Sequence, residues 1–200
     1  MADFTGTMTG QPVHAGGRAG SSHVVDDAGF EAMVATHHAE IYRYILRTTG
    51  RTSDTDDLSQ ETFLRAYRAY RALPGDANVR AWLFTIATNL CRNHFRTLKR
   101  RRLAYEAAGA TFSATDGADP HRVAASREVG ATIEATVGRL PFKQRTAFLQ
   151  RKLHDLDYDA IGRSLSCSPE SARAHVFQAL RKIRQALDGH ALSAQKESQR

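Results

Sequence analysis

The stretch that decides the fold runs from Leu156 to Leu187: L-D-Y-D-A-I-G-R-S-L, then S-C-S-P, then E-S-A-R-A-H-V-F-Q-A-L-R-K-I-R-Q-A-L. Leu156, Ile161 and Leu165 make one short apolar face. After the turn, Ala172, Val176, Ala179, Leu180, Ile183 and Leu187 recur at steps of three and four, the period of a helix buried along one side. Pro169 suits the first turn of this second helix, where a missing N–H costs nothing, and Ser168 offers an N-cap oxygen. Arg173, Gln178, Arg181, Lys182 and Arg184 lie opposite the apolar stripe. Two amphipathic helices joined by a tight turn, the second with a basic face, read as a helix-turn-helix that presents a DNA-recognition helix. Taken alone, the segment also fits a helical hairpin whose basic side is simply solvated.

Composition sets the frame around this unit. The chain has 200 residues and is 42% apolar, enough for one or two small cores, and no run reaches the apolar length of a membrane span. A soluble protein is expected. Residues 1–29 are rich in Gly, Ala, Thr and Ser, lack the basic start and apolar stretch of a secretory signal, and read as a disordered tail. Cys91 and Cys167 are isolated from each other and form neither a disulfide framework nor a zinc box, which fits a reducing cytoplasm. The net charge of +7 is unevenly spread: residues 30–102 carry +6, residues 130–190 carry +4, and residues 103–129 between them carry −2. Two basic blocks separated by an acidic, turn-rich connector suggest two surfaces for a polyanion and a linker that avoids it. The residues after 190 read as a second tail.

The first basic block is helical throughout. Phe30, Met33, Val34, Ile41, Tyr44 and Ile45 have helical spacing, and Gly50 stands at a C-terminal cap. T-S-D-T-D-D-L opens a second helix, capped by Ser53 or Asp54, that continues through Leu58, Phe63, Ala66, Tyr67 and Tyr70 until Pro74 and Gly75 break it. A third helix starts near Val79, with Trp82, Ile86, Leu90 and Phe95 apolar and a run of cations along its length. No strand pattern competes, so the chain is expected to be all-α: two small helical domains, 30–102 and 130–190, joined by a flexible linker.

D-D-L-S-Q-E-T-F-L-R-A-Y (56–67), R-A-W-L-F-T-I-A-T-N (80–89) and L-P-F-K-Q-R (140–145) precede the helix-turn-helix in this order. The set resembles the extracytoplasmic-function sigma factors of bacterial RNA polymerase over residues 30–102 and 130–187. The resemblance implies that the first block is domain 2, which binds core polymerase and melts the minus-ten element, and that the second is domain 4, which reads the minus-thirty-five element. It implies core polymerase, promoter DNA and an anti-sigma protein as partners, no cofactor, no enzymatic activity and no membrane contact.

The residues agree with these roles. Asp57, Gln60 and Glu61 share one helix face beside Leu58 and Phe63, an acidic patch in a basic domain. By resemblance it docks on the clamp helices of the polymerase's largest subunit, although helix-dipole charges on a solvated face would look the same. Melting needs a pocket for an extruded base and cations for its phosphates. By resemblance the 74–79 loop captures that base, with Asp76 and Asn78 placed to hydrogen-bond its edge. Asn89, Arg92, Asn93 and Arg96 recur at three- and four-residue steps as a strand-facing surface, flanked by Arg80, Lys99 and Arg100. Trp82, amid Leu83, Phe84 and Ile86, reads as core before it reads as a stacking platform. In the second domain Ser171, Arg173, Ala174 and His175 should face the major groove, with Arg181, Lys182 and Arg184 on phosphates. The family usually carries glycine where Ser166 stands, often valine at Ala172, a basic residue at His175 and Asp at Asn93.

Two other classes remain. An ordinary helix-turn-helix regulator would bind duplex DNA without core polymerase, and the acidic patch speaks against it. A metal- or thiol-responsive sensor would use Cys91 with His94, or His37 with His38, but no paired cysteine motif supports one. No phosphate loop, zinc-protease motif or nucleophile elbow is present, so no enzyme is indicated.

Overall fold

The computed structural model of the protein describes residues 21–108 and 127–197. All the regular elements among them are helices: α1 (Ser21–Thr49), α2 (Thr52–Tyr70), α3 (Val79–Ala107), α4 (Arg127–Arg139), α5 (Phe142–Lys152), α6 (Tyr158–Leu165) and α7 (Pro169–Glu197). Helices α1 to α3 form one module and α4 to α7 the other, an all-α architecture of two small helical units.

The helices overrun several expected boundaries. Helix α1 begins inside the stretch expected to be a tail, since its early turns find partners on α2: Tyr67 Oη donates to Asp27 at 3.3 Å, and Phe30 packs edge-on against Tyr67 and Tyr70. The 103–129 linker shortens from both ends, because α3 continues to Ala107, steadied by an Arg102–Glu106 pair one turn apart at 2.7 Å, and α4 starts at Arg127. Helix α7 passes residue 190 to end at Glu197, along a stretch with neither Gly nor Pro to break it. The remaining tail and tether expectations fall on residues outside those described.

Capping follows side-chain chemistry at three helices. Asn78, Asp157 and Ser168 accept backbone N–H bonds from Ala81, Ala160 and Ser171 at 2.9, 2.6 and 3.2 Å, so each starts the helix that follows it. Helix α5, after Pro141, has no side-chain cap, and neither has α2. Helix α2 starts at Thr52 after an extended Arg51 with no side-chain cap, because Asp54 is drawn instead to His94 Nε2, 3.3 Å away on α3. Gly50, at φ 75°, ends α1 and donates to Leu46 O at 2.8 Å.

The core differs from a simple one-face reading on two helices. Helix α3 buries Leu83, Phe84, Ala87, Leu90 and Cys91, while Trp82 and Ile86 are only partly covered, because this helix packs against α1 and α2 on one side and α6 on another. On α7, Ala172, Val176, Ala179 and Ile183 are buried, but Leu180 lies off the stripe and is 39% exposed. The turn between α6 and α7 is tight: Ser166 adopts φ 53°, ψ 55°, a left-handed conformation that favours glycine, and a Cβ on Gly162 would sit 2.7 Å from Cys167 O.

The two modules pack together, α3 on α6 and α1 on α5. Their seam is polar at its centre. Gln150 of α5 donates through Nε2 to Tyr44 Oη of α1 at 3.0 Å and to Thr88 Oγ1 of α3 at 2.8 Å. Its Oε1 accepts from Ser164 Oγ at 2.8 Å, and the Tyr44 and Thr88 hydroxyls lie 2.7 Å apart. All four side chains are fully buried, and burial drives the Tyr44 phenol well above its usual range. Arginines complete the seam by binding carbonyls of the opposite module: Arg80 to His154 O, Arg92 to Ser164 O at 2.9 Å, and Arg145 to Thr48 O at 2.7 Å. Thr48 and Ser164 lie in the last turns of α1 and α6, where carbonyls lack partners within their own helix.

Two predictions follow from this packing. Gly162→Ala should destabilise the second module by about 1–3 kcal/mol in denaturant unfolding, because the new methyl meets backbone that cannot swing aside. Gly130→Ala, in α4 with open space around its Cα, should instead add up to about 1 kcal/mol. The second prediction concerns His154, whose imidazole is pushed below its usual pKa by burial, an effect opposed by Glu40, 3.1 Å from Nδ1, and reinforced by Arg80 and Arg47. Burial alone would raise Glu40, but bonds from Arg80 and His154 leave its carboxyl below the ordinary value. His154 therefore supports packing fully above about pH 6.5 and less as pH falls, and Glu40 loses its support below about pH 4.5, so both make acid loosen the seam. The thermal midpoint should fall between pH 7.5 and 5.5, and His154→Gln should flatten that slope. A midpoint that rises on acidification would contradict the sign.

Candidate functional site

Three exposed surfaces carry the chemistry singled out in the sequence. The first is the outward side of α2. Asp57 and Gln60 are exposed there, Glu61 is half-exposed and held by Arg65 one turn away at 2.6 Å, and Phe63 is half-buried with His38 stacked on its ring. Leu58 is not part of this surface: at 8% exposure it is turned into the core. Its place is taken by Leu64, at 44% exposure and unmarked in the sequence pattern, and by Tyr67, at 49% exposure although the pattern set it on the apolar run of α2. These flank a groove of about 540 Å³ between α1 and α2, lined by Phe30, Val34, His38, Tyr42, Gln60 and Phe63 among others. The surface pairs carboxylates with an apolar trough, a combination suited to a helix bearing arginines and aliphatic side chains.

The second surface is α3 and the loop before it. Asp76 is exposed in that loop; Asn78 is also exposed, but its side-chain oxygen is committed to the α3 cap. Asn93, Arg96, Lys99 and Arg100 are exposed along the C-terminal half of α3. Three of the expected strand contacts are placed differently. Arg80 makes a two-pronged ion pair with Glu40 and reaches His154 O, Asn89 accepts from Arg92 at 2.9 Å, and Arg92 spans from Asn89 to Ser164 O while lying over the Phe142 ring. These three are half-buried in the seam, so the face expected to be continuous is divided in two.

The third surface is the N-terminal half of α7. Ser171, Arg173 and Ala174 are exposed at its start, with Arg181 and Arg184 exposed further along. The Arg173 guanidinium lies 5.0 Å from the centre of the Tyr158 ring, which also carries Arg151 at 5.2 Å. His175 is half-buried, and burial together with Lys143 holds its imidazole below the usual pKa, favouring the neutral ring. Lys182 donates to Gln144 at 3.0 Å, and Gln144 in turn donates to Gln178 at 2.7 Å, which leaves Lys182 only half-exposed. Phe177, at 66% exposure on the same side as Arg173 and Ala174, is the surface residue the sequence reading passed over. Its signal was present, since it falls outside the stripe set by Ala172, Val176 and Ala179.

The alternative sensor chemistry finds poor footing. Cys91 is fully buried, its thiol pushed up to about 12 by burial, and its neighbour His94 is engaged with Asp54. Among the described residues no group of three or more His, Cys, Asp or Glu is placed to hold a metal ion, and no helix is long and apolar enough to cross a membrane.

Known proteins match this arrangement module by module. Residues 33–101 match the family model for sigma-70 region 2, and residues 131–183 match that for sigma-70 region 4. The RNA polymerase sigma-H factor of Pseudomonas aeruginosa is 31% identical over 169 residues, covering 81% of this chain and 88% of its own length. The extracytoplasmic-function sigma-E factor of Escherichia coli is 27% identical over 168 residues, covering 79% of this chain and 86% of its own. Among solved structures, the sigma factor RpoE in complex with the anti-sigma factor NepR, from Bartonella quintana, superposes with a TM-score of 0.62 at 18% identity over 80% of this chain and 97% of its own. CnrH in complex with the cytosolic domain of CnrY superposes with a TM-score of 0.59 at 23% identity over 82% of this chain and 90% of its own. With both regions matched in order and a relative above 30% identity across four-fifths of its length, the chain belongs to the sigma-70 family, as an extracytoplasmic-function sigma factor of bacterial RNA polymerase.

Proposed function

We propose a division of labour among the three surfaces of this sigma factor. The family role is promoter-directed initiation: a non-enzymatic subunit lends recognition and DNA opening to a polymerase that performs all the chemistry. In this chain the α2 surface, Asp57, Gln60 and Glu61 with Leu64 and Tyr67 around the α1–α2 groove, docks on core polymerase. Asp76 and Asn78 in the loop, with Asn89, Arg92, Asn93, Arg96, Lys99 and Arg100 on α3 and Arg80 at its start, hold the melted minus-ten strand. Base extrusion costs a few kcal/mol, which cationic contacts to phosphate and a pocket for the base offset. Ser171, Arg173, Ala174 and His175 read bases of the minus-thirty-five element, and Arg181, Lys182 and Arg184 anchor its phosphates.

The observation that carries this reading is the partition of exposed charge. Carboxylates and apolar side chains share the outer face of α2, while cations dominate the exposed faces of α3 and α7. An ordinary helix-turn-helix regulator has no use for the first surface. The sigma factors it superposes on are held by NepR and by the CnrY cytosolic domain, which supports an anti-sigma protein as a further partner, acting in the cytoplasm where the polymerase works.

Run-off transcription with purified core polymerase tests the reading. Charge reversal of Asp57 and Glu61 together should cripple core association, since it removes attraction and adds repulsion at the same contact, a change of several kcal/mol for close charges. The fold should survive, because both residues are exposed enough that their substitution falls within about 0.5 kcal/mol. A double variant that is folded by circular dichroism yet binds core with normal affinity would overturn the docking assignment.

A further inference from the structure

We propose that Tyr158, the first residue of α6, is a positioning residue for promoter recognition: its ring holds the Arg173 guanidinium in the plane that reads a base, so the first helix of the helix-turn-helix tunes the selectivity of the second. The inference rests on the base-reading role given to Arg173 above. Its basis is the way this arginine is held. The guanidinium lies over the Tyr158 ring, 5.0 Å from its centre. A cation stacked on a ring is bound through its flat face, which leaves the N–H donors along its edge free. Arg80, Arg92 and Arg145 are held in the opposite way, their donors taken by a carboxylate or by carbonyls. Among the described residues no hydrogen bond or ion pair takes a donor of Arg173. The carboxylate that feels its charge, Glu170, is held instead by its own backbone N–H and by the Ser168 hydroxyl. A fork of free donors on a fixed plane is what two-point recognition of a base edge requires.

The ring is itself fixed. Asp157 caps α6 by accepting from the Ala160 N–H at 2.6 Å, which sets the backbone at Tyr158. Arg151, in the last turn of α5, lies over the same ring at 5.2 Å and donates to Leu156 O at 3.1 Å, tying the ring to the loop between α5 and α6. The tight turn then delivers Arg173 to it, because Gly162 lets α6 approach Cys167 O more closely than a side chain there would allow. Arg173 remains exposed while stacked, so its donors face solvent before DNA arrives. A long exposed side chain otherwise samples many rotamers, and ordering it opposes binding. A ring that orders it beforehand removes part of that penalty only for a base whose acceptors meet the preset plane. The benefit is therefore one of discrimination between bases rather than of overall attraction to DNA.

The test is run-off transcription by core polymerase carrying the full chain, on promoters in which each position of the minus-thirty-five element is varied through the four bases. The position whose preference flattens in Arg173→Ala is the one that Arg173 reads. There Tyr158→Leu should shrink the ratio of output between best and worst base by about 2- to 5-fold, the strength of one exposed cation–π contact. Tyr158→Phe, which keeps the ring, should keep the wild-type ratio. In the Arg173→Ala background Tyr158→Leu should change the ratio no further, because the ring acts only through the arginine. If circular dichroism shows Tyr158→Leu to be misfolded, Tyr158→Met, also without a ring, serves in its place. A wild-type ratio in the folded variant without the ring, or a ratio lost in Tyr158→Phe, overturns the positioning role. So does a further loss in the Arg173→Ala background, since Tyr158 would then touch DNA itself. Arg173→Ala with every preference intact would instead sink the base-reading assignment, and the role of the ring with it.

Discussion

A buried primary amide must find partners for both its N–H groups and its carbonyl, and at Gln150 that requirement sets how the two modules meet. The side chain is fully buried at the junction of α1, α3, α5 and α6, and only the observed arrangement gives it Tyr44, Thr88 and Ser164 at once. A shift by one helical turn of either module would leave an orphaned donor or acceptor costing about 1–3 kcal/mol, so the network specifies register as apolar packing alone would not. The surrounding arginines obey the same logic. Arg92 and Arg145 satisfy carbonyls in the last turns of α6 and α1, which no bond within those helices can reach.

That register decides which surfaces a partner can meet. It leaves α2 and the outer side of α7 open while folding the N-terminal half of α3 inward. The arrangement packs the region 4 module against the region 2 module. The hydrogen bonds of Gln150 give that packing one specified geometry. Local strain sits in two left-handed residues, Ser166 in the turn that delivers α7 and Asp155 next to His154 of the seam.

Much of the fold was legible because its helices are amphipathic on one side. Met33, Ile41 and Ile45 on α1, and Ala172, Val176, Ala179 and Ile183 on α7, are buried as their spacing predicts. The stop at Gly50 and the starts at Asn78 and Pro169 follow from backbone chemistry that sequence displays directly. What failed failed for identifiable reasons. Helix α3 is sandwiched, so a one-face reading missed Phe84, Ala87 and Cys91 and promoted Trp82 and Ile86. Leu58 was assigned to the docking face from its neighbours in sequence, but a residue one step from Asp57 points about 100° away around the helix, here into the core. The seam left a trace that went unread: Tyr44, Thr88 and Gln150 are polar residues at core-facing positions of three separate helices, a pattern of mutual partners. Single-helix periodicity cannot pair such residues across 62 or 106 positions of sequence.

The central claim is that the outer face of α2 docks on core polymerase. Hydrogen exchange followed by mass spectrometry on the full chain, alone and bound to core polymerase, reads that surface directly. Slower exchange across residues 54–67 of α2 is predicted on binding, with residues 171–184 of α7 unchanged until promoter DNA is added. Unchanged exchange across residues 54–67 in the bound chain would contradict it, because core polymerase would then be held by another surface.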